Sequence, residues 1–432
     1  MSFLVPHLTR RPAGGLLLLL GALGAALPVS AAVTDPFGYV AYNIPGGARR
    51  LVGVPLIRDG THSDKVSSVS AQRIALPTPV QASYFGGAAT LMVQVRAGTK
   101  EGEGVHAGMT FTATGYEGNE LILDSSPSGL IAPGDTVALF PNYNLTTLFG
   151  PDNTFGLQAG DSAEEADTVS LWNAASQTSR IFYLRTGEGW REAGHEAAGD
   201  RGGVTISFPE AIMVKRRSAS PLNLVVQGMV PMPLEQRYFH ALPGRNLISA
   251  PFSMAATVAD YGLYQEGGAP FSVIAGDSAP EADTIRFSNS TTATESEIIY
   301  YRSGHGWRVA GSGGDASATP VELGQAMDFQ RVGNAGFIRV LGIVGPESAP
   351  LRVMASSPTP VETPTVPILN LQPGPGSLRI GWSGEAGASY QIQCRPPGAA
   401  WQNLGGEVVA TEGVTTTVRP VTGGGELRIV KK

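Results

Sequence analysis

Two acidic loops in this sequence carry residue types that could hold a metal. The segment Ala159 to Val169, AGDSAEEADTV, recurs as Ala275 to Ile285, AGDSAPEADTI, with 9 of 11 positions identical. Calcium prefers oxygen ligands and takes roughly six to eight of them. Each loop is therefore a candidate calcium site, and its candidate ligands are Asp161 and Asp167 in one copy and Asp277 and Asp283 in the other.

The same aspartates also fit a structural role. The pattern Asp-Thr-Val or Asp-Thr-Ile occurs at Asp135, Asp167 and Asp283, each time before a predicted strand. This is typical of a turn aspartate followed by β-branched residues. The mature histidines show no zinc-ligand spacing, and Cys394 is the single cysteine. We favour the turn interpretation and predict no metal and no cofactor.

Two tryptophans suggest a second kind of site. Trp190 and Trp307 each follow a Gly-x-Gly turn, and each precedes an arginine, Arg191 or Arg308. An exposed indole beside a guanidinium would suit sugar binding, and the duplication would supply two such sites. A tryptophan in a hairpin is more often buried against the neighbouring sheet. We therefore favour a core role over a ligand-binding role.

No catalytic residue can be assigned from the sequence. It lacks a Walker loop, an HExxH segment and a nucleophile elbow. The triplets at Gly160 and Gly276 resemble the GDS block of an esterase family, but the DxxH segment, Asp59 to His62, precedes them instead of following late in the chain. We predict a protein that is not an enzyme.

The duplication extends beyond the acidic loops and organises most of the chain. Matching Gly-Trp-Arg turns and opening strands predict two related modules, with about 100 residues before the acidic loop in the first copy and about 25 in the second. Short alternating segments predict an all-β fold throughout, with helix candidates limited to Ser63 to Leu76 and the acidic loops. The predicted parts are a signal peptide (1–32), a first module (33–230) with an insertion (about 60–143), a second module (231–345), a proline-rich linker (346–367) and a small sandwich-like domain (368–432).

Three expectations follow for the insertion and the tail. Alternation predicts a hairpin from Met109 to Leu123 in the insertion. Trp382 and Trp401 are expected in the core of the sandwich-like domain. Cys394 alternates with Tyr390 and Ile392, which predicts a buried and unreactive thiol.

The first residues predict export. Arg10 and Arg11 precede an apolar run from Leu16 to Leu27, and small residues follow, which is typical of a secretory signal cleaved after Ala31 or Ala32. No later segment is long and apolar enough to span a membrane as a helix. The expected location is secreted, periplasmic or at the cell surface.

Composition narrows the class of partner. The chain has 30 basic and 36 acidic side chains, and lysine occurs five times, which argues against nucleic acid. The sequence does not identify a partner, and a polysaccharide or another cell-surface protein would suit an exported chain of this composition.

Several segments together resemble a known family. These are Asp35 to Tyr39, Leu51 to Leu56, Ala132 to Val137, Leu145 to Gly150 and Gly189 to Arg191. As a set they resemble a paralogous family of exported, uncharacterised verrucomicrobial proteins over residues 35 to 345. The tail, with Ser389 to Gln393 and Trp401 to Leu404, is similar to fibronectin-type or immunoglobulin-like modules. The resemblance implies an exported β-rich protein and supplies no catalytic residues.

Two functional hypotheses remain open at this point. The leading one is an exported, non-enzymatic binding or structural protein whose ligand is unknown. The alternative is a polysaccharide-active enzyme or a carbohydrate-binding accessory protein, which would need paired carboxylates in an open cleft or exposed aromatic rings.

Overall fold

The structure is a computed structural model. It describes residues 37–97, 106–150, 153–231, 236–252, 256–266, 270–288, 297–322, 324–342, 365–366, 368–374, 377–396, 400–411, 414–420 and 424–432. The predicted signal peptide and most of the predicted linker lie outside these residues. Among the described residues, no helix is long and apolar enough to cross a membrane.

The regular secondary structure of the described residues is almost entirely β, which confirms the all-β prediction. In the first module and its insertion the strands are β1 (Phe37–Ile44), β2 (Arg49–Val52), β3 (His62–Lys65), β4 (Ser68–Ser70), β5 (Arg73–Ala75), β6 (Leu91–Ala97), β7 (Thr110–Glu117), β8 (Glu120–Leu123), β9 (Thr136–Pro141), β10 (Tyr143–Asn144), β11 (Thr168–Asn173), β12 (Thr178–Arg185), β13 (Gly189–Glu192), β14 (Thr205–Ile206), β15 (Ile212–Lys215) and β16 (Leu222–Met229). In the second module they are β17 (Gln236–Ala241), β18 (Gly244–Ser249), β19 (Ala256–Thr257), β20 (Thr284–Phe287), β21 (Ile299–Arg302), β22 (Gly306–Val309), β23 (Pro320–Val321), β24 (Ala326–Arg331) and β25 (Gly336–Leu341). In the C-terminal segment, residues 365–432, they are β26 (Thr365–Val366), β27 (Ile368–Gly374), β28 (Ser377–Ser383), β29 (Ser389–Arg395), β30 (Gln402–Asn403), β31 (Val408–Val409), β32 (Val414–Pro420) and β33 (Gly424–Lys431).

The two modules have the same sheet topology. In the first module a five-stranded antiparallel sheet has the order β13-β12-β11-β15-β2, and in the second the order is β22-β21-β20-β24-β18. The flanking pairs also correspond, with β1·β16 and β10·β14 in the first module and β17·β25 and β19·β23 in the second. The matching sequence segments thus occupy equivalent strands.

The insertion forms a sheet of its own between β2 and β10. Its order is β3-β9-β6-β7-β8-β5-β4. Strand β6 reads LMVQVRA, and Leu91, Val93 and Val95 enter the core of the insertion while Met92 packs on the opposite face against Ile57. This sheet contains the predicted hairpin, as β7 and β8.

The C-terminal segment shares a sheet and a core with the first module. Strand β33 pairs with β1 on one side and with β29 on the other, so β1 lies between β16 and β33. Trp382, Tyr390 and Ile429 belong to the same apolar cluster as Tyr39 and Trp190. Trp382 is buried as predicted, whereas Trp401 is half-buried, because its ring lies between the guanidinium groups of Arg395 and Arg428.

The two modules contact each other through equivalent residues. A small apolar cluster joins Leu51 and Ala211 of the first module to Leu247 and Ala326 of the second. Leu51 and Leu247 occupy corresponding positions of the opening strands, and Ala211 and Ala326 stand in corresponding positions at the starts of β15 and β24. The contact is therefore self-complementary, as in an isologous dimer interface.

The helix prediction for Ser63 to Leu76 was wrong. This segment forms the short strands β3, β4 and β5, and residues of β3 and β4 alternate between half-buried and exposed instead of following a helical period. The acidic loops contain single turns, including a 3-10 turn at Ala279–Glu281. The described residues include one α-helix, α1 (Leu145–Phe149), which is capped by Asn144 through a hydrogen bond that its side chain accepts from the Thr147 N–H.

The shared core predicts that the C-terminal segment stabilises the first module. Ile429 is fully buried in that core and pairs with Ile392 of β29, so Ile429→Ala should lower the unfolding free energy by about 3 kcal/mol. Hydrogen exchange should show weaker protection in β1 and β16 as well as in β29. Val409, which is 58% exposed, provides the control Val409→Ala. If protection falls in the C-terminal strands alone, the segment folds separately.

Candidate functional site

The tryptophan hairpins are built alike in the two modules, and both tryptophans are buried. Gly187 and Gly189 have φ values of 71° and 83°, which lets β12 turn tightly into β13. Trp190 is 4% exposed and packs 5.5 Å from the ring of Phe149, and Trp307 is also 4% exposed, with Tyr301 5.5 Å away. The core interpretation is confirmed, and neither indole presents a face to a ligand.

The neighbouring arginines are held by carboxylates. The Arg191 Nη2 group donates to Glu188 Oε2 at 3.0 Å, and its Nη1 group donates to the Trp190 carbonyl. Arg308 Nη1 lies 3.6 Å from Asp315 Oδ1. The structure thus places the candidate ligand-binding residues in internal contacts: Trp190, Arg191, Trp307 and Arg308.

In the first copy, the last aspartate of the acidic loop forms a buried ion pair. Asp167 stands directly before β11, and its side chain is fully buried. Its Oδ2 accepts hydrogen bonds from Arg216 and, at 2.7 Å, from the Gln158 N–H. Its Oδ1 accepts from the Arg217 N–H at 2.6 Å. The carboxylate thus ties the start of β11 to the end of β15.

The second copy repeats this geometry. Asp283 stands directly before β20, and its Oδ2 accepts from Arg331 and, at 2.9 Å, from the Ile274 N–H. Its Oδ1 accepts from the Val332 N–H at 2.9 Å. We call each arrangement the Asp–Arg clamp: Asp167 with Arg216, and Asp283 with Arg331.

Each arginine of a clamp also ties down the surrounding loops. Arg216 donates to the carbonyls of Gly156 and Ser220, at 3.0 and 2.9 Å. Arg331 donates to the carbonyls of Ser272 and Asn334, at 3.4 and 3.1 Å. A guanidinium with several donors can join one carboxylate to two loops in this way.

The clamps use two of the candidate calcium ligands, Asp167 and Asp283, for internal contacts. The oxygens of Asp167 and Asp283 are occupied by arginine and backbone N–H donors, while Asp161 and Asp277 are exposed on the far side of the loop turn. In the part of the chain that the structure describes, no group of three or more histidine, cysteine, aspartate or glutamate side chains could hold a metal. The turn interpretation of the Asp-Thr-Val pattern is confirmed, because Asp135 likewise accepts from the Ala132 N–H just before β9.

Steric crowding requires glycine at the second position of the AGDS sequence in both copies. A Cβ atom on Gly160 would lie 2.8 Å from the Glu165 Cβ, and one on Gly276 would lie 2.8 Å from the Glu281 Cβ. Both glycines form a parallel bridge to the end of the hairpin strand, at Arg185 and Arg302 respectively. The duplicated motif is therefore a tight loop, and its last aspartate, Asp167 or Asp283, is buried beside the sheet.

Glu210 is a half-buried acid at the contact between the modules. Its backbone pairs with Ile248 of the second module, and its Oε2 accepts from the Ser207 N–H at 3.2 Å. Burial raises the pKa of Glu210 from 4.5 to about 8. The equivalent residue of the second module is Gln325, whose Oε1 accepts from the Glu322 N–H in the same way. The protonated carboxyl of Glu210 is therefore uncharged, like the amide of Gln325 at the equivalent position of the second module.

The remaining candidates offer little to a ligand. Burial raises the pKa of the half-buried Cys394 thiol, so the thiolate that would react is disfavoured. A crevice lined by Arg58, Phe140 and Phe208 has a cavity volume of about 10 Å³, which is room for about one water molecule. This is below the range of roughly 300–1,000 Å³ that is usual for pockets holding drug-sized ligands.

Sequence reasoning missed Arg216, Arg331 and Glu210. The signal for the two arginines was their separation of 115 residues, which nearly equals the 116-residue offset of the aspartates. In the structure they lie at the ends of the equivalent strands β15 and β24. The comparisons add no candidate residue, because no family model, curated protein or solved structure matches the chain. The family resemblance described above stays a prediction.

Breaking the first clamp should destabilise the protein without any role for calcium. We expect Asp167→Asn to lower the unfolding free energy by about 3 kcal/mol, because the arginine then stays buried without its counter-charge. The exposed Asp161→Asn is the matched control in the same loop and should change it by less than about 0.5 kcal/mol. Urea unfolding with calcium or with chelator should give the same curves. A chelator-dependent shift lost in Asp161→Asn would restore the metal site.

Glu210 should make stability fall as the pH rises. Between pH 4.5 and about 8 the unfolded chain loses the proton that the folded chain keeps, so the unfolding free energy declines. Glu210→Gln should remove this decline and be more stable than the parent by about 2 kcal/mol at pH 7.5, but equal at pH 4. Exposed Glu164→Gln is the control. Parallel pH profiles of parent and Glu210→Gln would contradict the assignment.

Proposed function

We propose that the protein is an exported, non-enzymatic structural or binding protein built from two paired β modules. The observation that carries the proposal is that its chemically distinctive residues serve internal contacts. The tryptophans fill the cores, the adjacent arginines pair with carboxylates, and the duplicated aspartates close the clamps. A chain that uses these groups for internal contacts is suited to a structural role.

The joining of the parts supports a structural role. The modules meet at equivalent residues, and the C-terminal segment continues the sheet of the first module through β33 and β1. Such an assembly can present its outer surface to a partner as one body. A polysaccharide or another cell-surface protein is the partner class that fits an exported chain with few lysines.

Export is the first part of the proposal to test. Cells producing the full chain with a C-terminal epitope should release or surface-expose a form that starts at residue 32 or 33, as read by N-terminal sequencing. A matched variant with Leu17→Arg and Leu19→Arg in the apolar run should stay in the cytoplasm at full length. Full-length parent protein in the cytoplasm would contradict export.

The absence of catalysis is tested on the released protein. Panels of chromogenic glycosides and esters, and of intact polysaccharides, should show no turnover above a heat-denatured sample. Turnover that disappears on replacing one carboxylate in a folded variant would contradict the non-enzymatic proposal and favour the polysaccharide-active alternative.

A further inference from the structure

A buried arginine lies unpaired where the insertion meets the second module. Arg237 is on β17 and is 1% exposed. Its Nε, Nη1 and Nη2 atoms have no hydrogen-bond partner within the described part of the chain. Arginine stays charged in proteins and carries five N–H donors. A buried guanidinium without partners is costly, so Arg237 needs a counter-group.

The surroundings of Arg237 add polar groups that also lack partners. The Tyr261 side chain is 1% exposed, and its hydroxyl has no hydrogen-bond partner among the described residues. The guanidinium of Arg237 lies 5.2 Å from the ring centre of Phe252, and that ring is 6.1 Å from the ring of Tyr261. The Tyr261 ring and the Arg237 guanidinium therefore both lie next to the ring of Phe252.

The insertion contributes a further buried group and a second positive charge. Gln94 on β6 is fully buried, and neither its amide oxygen nor its amide nitrogen is partnered in the part of the chain described here. Arg96 follows two residues later, so it projects from the same face of β6. Burial, and after it the charge of Arg96, lowers the pKa of Arg237 to about 9.

The insertion and the second module fit closely together on either side of Arg237. A Cβ atom on Gly108 would lie 2.1 Å from the Gln236 carbonyl oxygen, so only glycine lets the two chains approach. The Gln236 amide donates to the Ala107 carbonyl at 3.2 Å, and Thr110 donates to the Tyr238 carbonyl at 3.4 Å. Because these bonds flank Arg237 on both sides, its place against the insertion is set by the fold.

We propose that Arg237, with Tyr261 and Gln94, forms an internal binding site for a small oxyanion between the insertion and the second module. A carboxylate or phosphate oxygen can accept from the guanidinium, the phenol and the amide together. The near-complete burial of Arg237 restricts the ligand to a small anion. This site is independent of the export and of the outer surface invoked above.

The test is a thermal-shift titration of the released protein at constant ionic strength. Inorganic phosphate in one series and acetate in another replace sodium chloride, and the better ligand identifies the class of oxyanion. We expect the melting temperature to rise by several degrees and to saturate, as it does when a ligand binds the folded state. No rise with either anion would overturn the proposal.

The variant Arg237→Met removes the charge and should abolish the rise. Arg245→Met is the matched control, because Arg245 lies in the same module and pairs with Asp328 at the surface, and it should respond like the parent. An equal rise in Arg237→Met would mean that the anions act elsewhere, which overturns the site. If Arg237→Met does not fold, Arg237→Lys keeps the charge without the planar fork, and calorimetric titration should show at least tenfold weaker phosphate binding. Unchanged affinity in that variant would also overturn the site.

Discussion

The buried Asp–Arg clamp is the interaction on which each module depends. In the first module, the carboxylate of Asp167 accepts three hydrogen bonds. These bonds join the start of β11 to the end of β15 and to the loops beside them. A carboxylate and a guanidinium are stable in the interior when both are paired and their remaining donors and acceptors are satisfied. The clamp meets this condition twice, in Asp167 with Arg216 and in Asp283 with Arg331.

The rest of the architecture builds on these two clamped sheets. The sheets contact each other through Leu51, Ala211, Leu247 and Ala326, which occupy matching positions in the two copies. The copies then differ in what covers them, because β1 of the first module pairs with β33, whereas β17 of the second lies against the insertion. Duplication therefore supplied a symmetric centre, and the added segments cover the two modules in different ways.

Local patterns in the sequence predicted much of the fold, because alternation and turn residues act over a few positions. The hairpins, the turn aspartates and the burial of Trp190 and Trp307 are of this kind. The segment from Ser63 to Leu76 was assigned wrongly, because short strands separated by serine-rich turns have little period of their own. The pairing of β1 with β33 joins residues nearly 400 positions apart, and no local pattern encodes it.

The candidate site was harder to predict because its partners are distant. Arg216 and Arg331 lie 49 and 48 residues from their aspartates, in the dissimilar segments KRRS and QRVG. The raised pKa of Glu210 depends on burial at the contact between the modules, which a single sequence does not report. Arg237 likewise reads as an ordinary strand arginine until its surroundings are known.

The measurement that bears most directly on the clamps is a pair of double-mutant cycles. One cycle combines Asp167→Asn with Arg216→Met, and the other combines Asp283→Asn with Arg331→Met, with unfolding free energies measured in urea. We expect a coupling energy of about 2 kcal/mol or more in each cycle, with similar values because the geometries match. A coupling below about 0.5 kcal/mol in either cycle would contradict the view that the clamps hold the modules together.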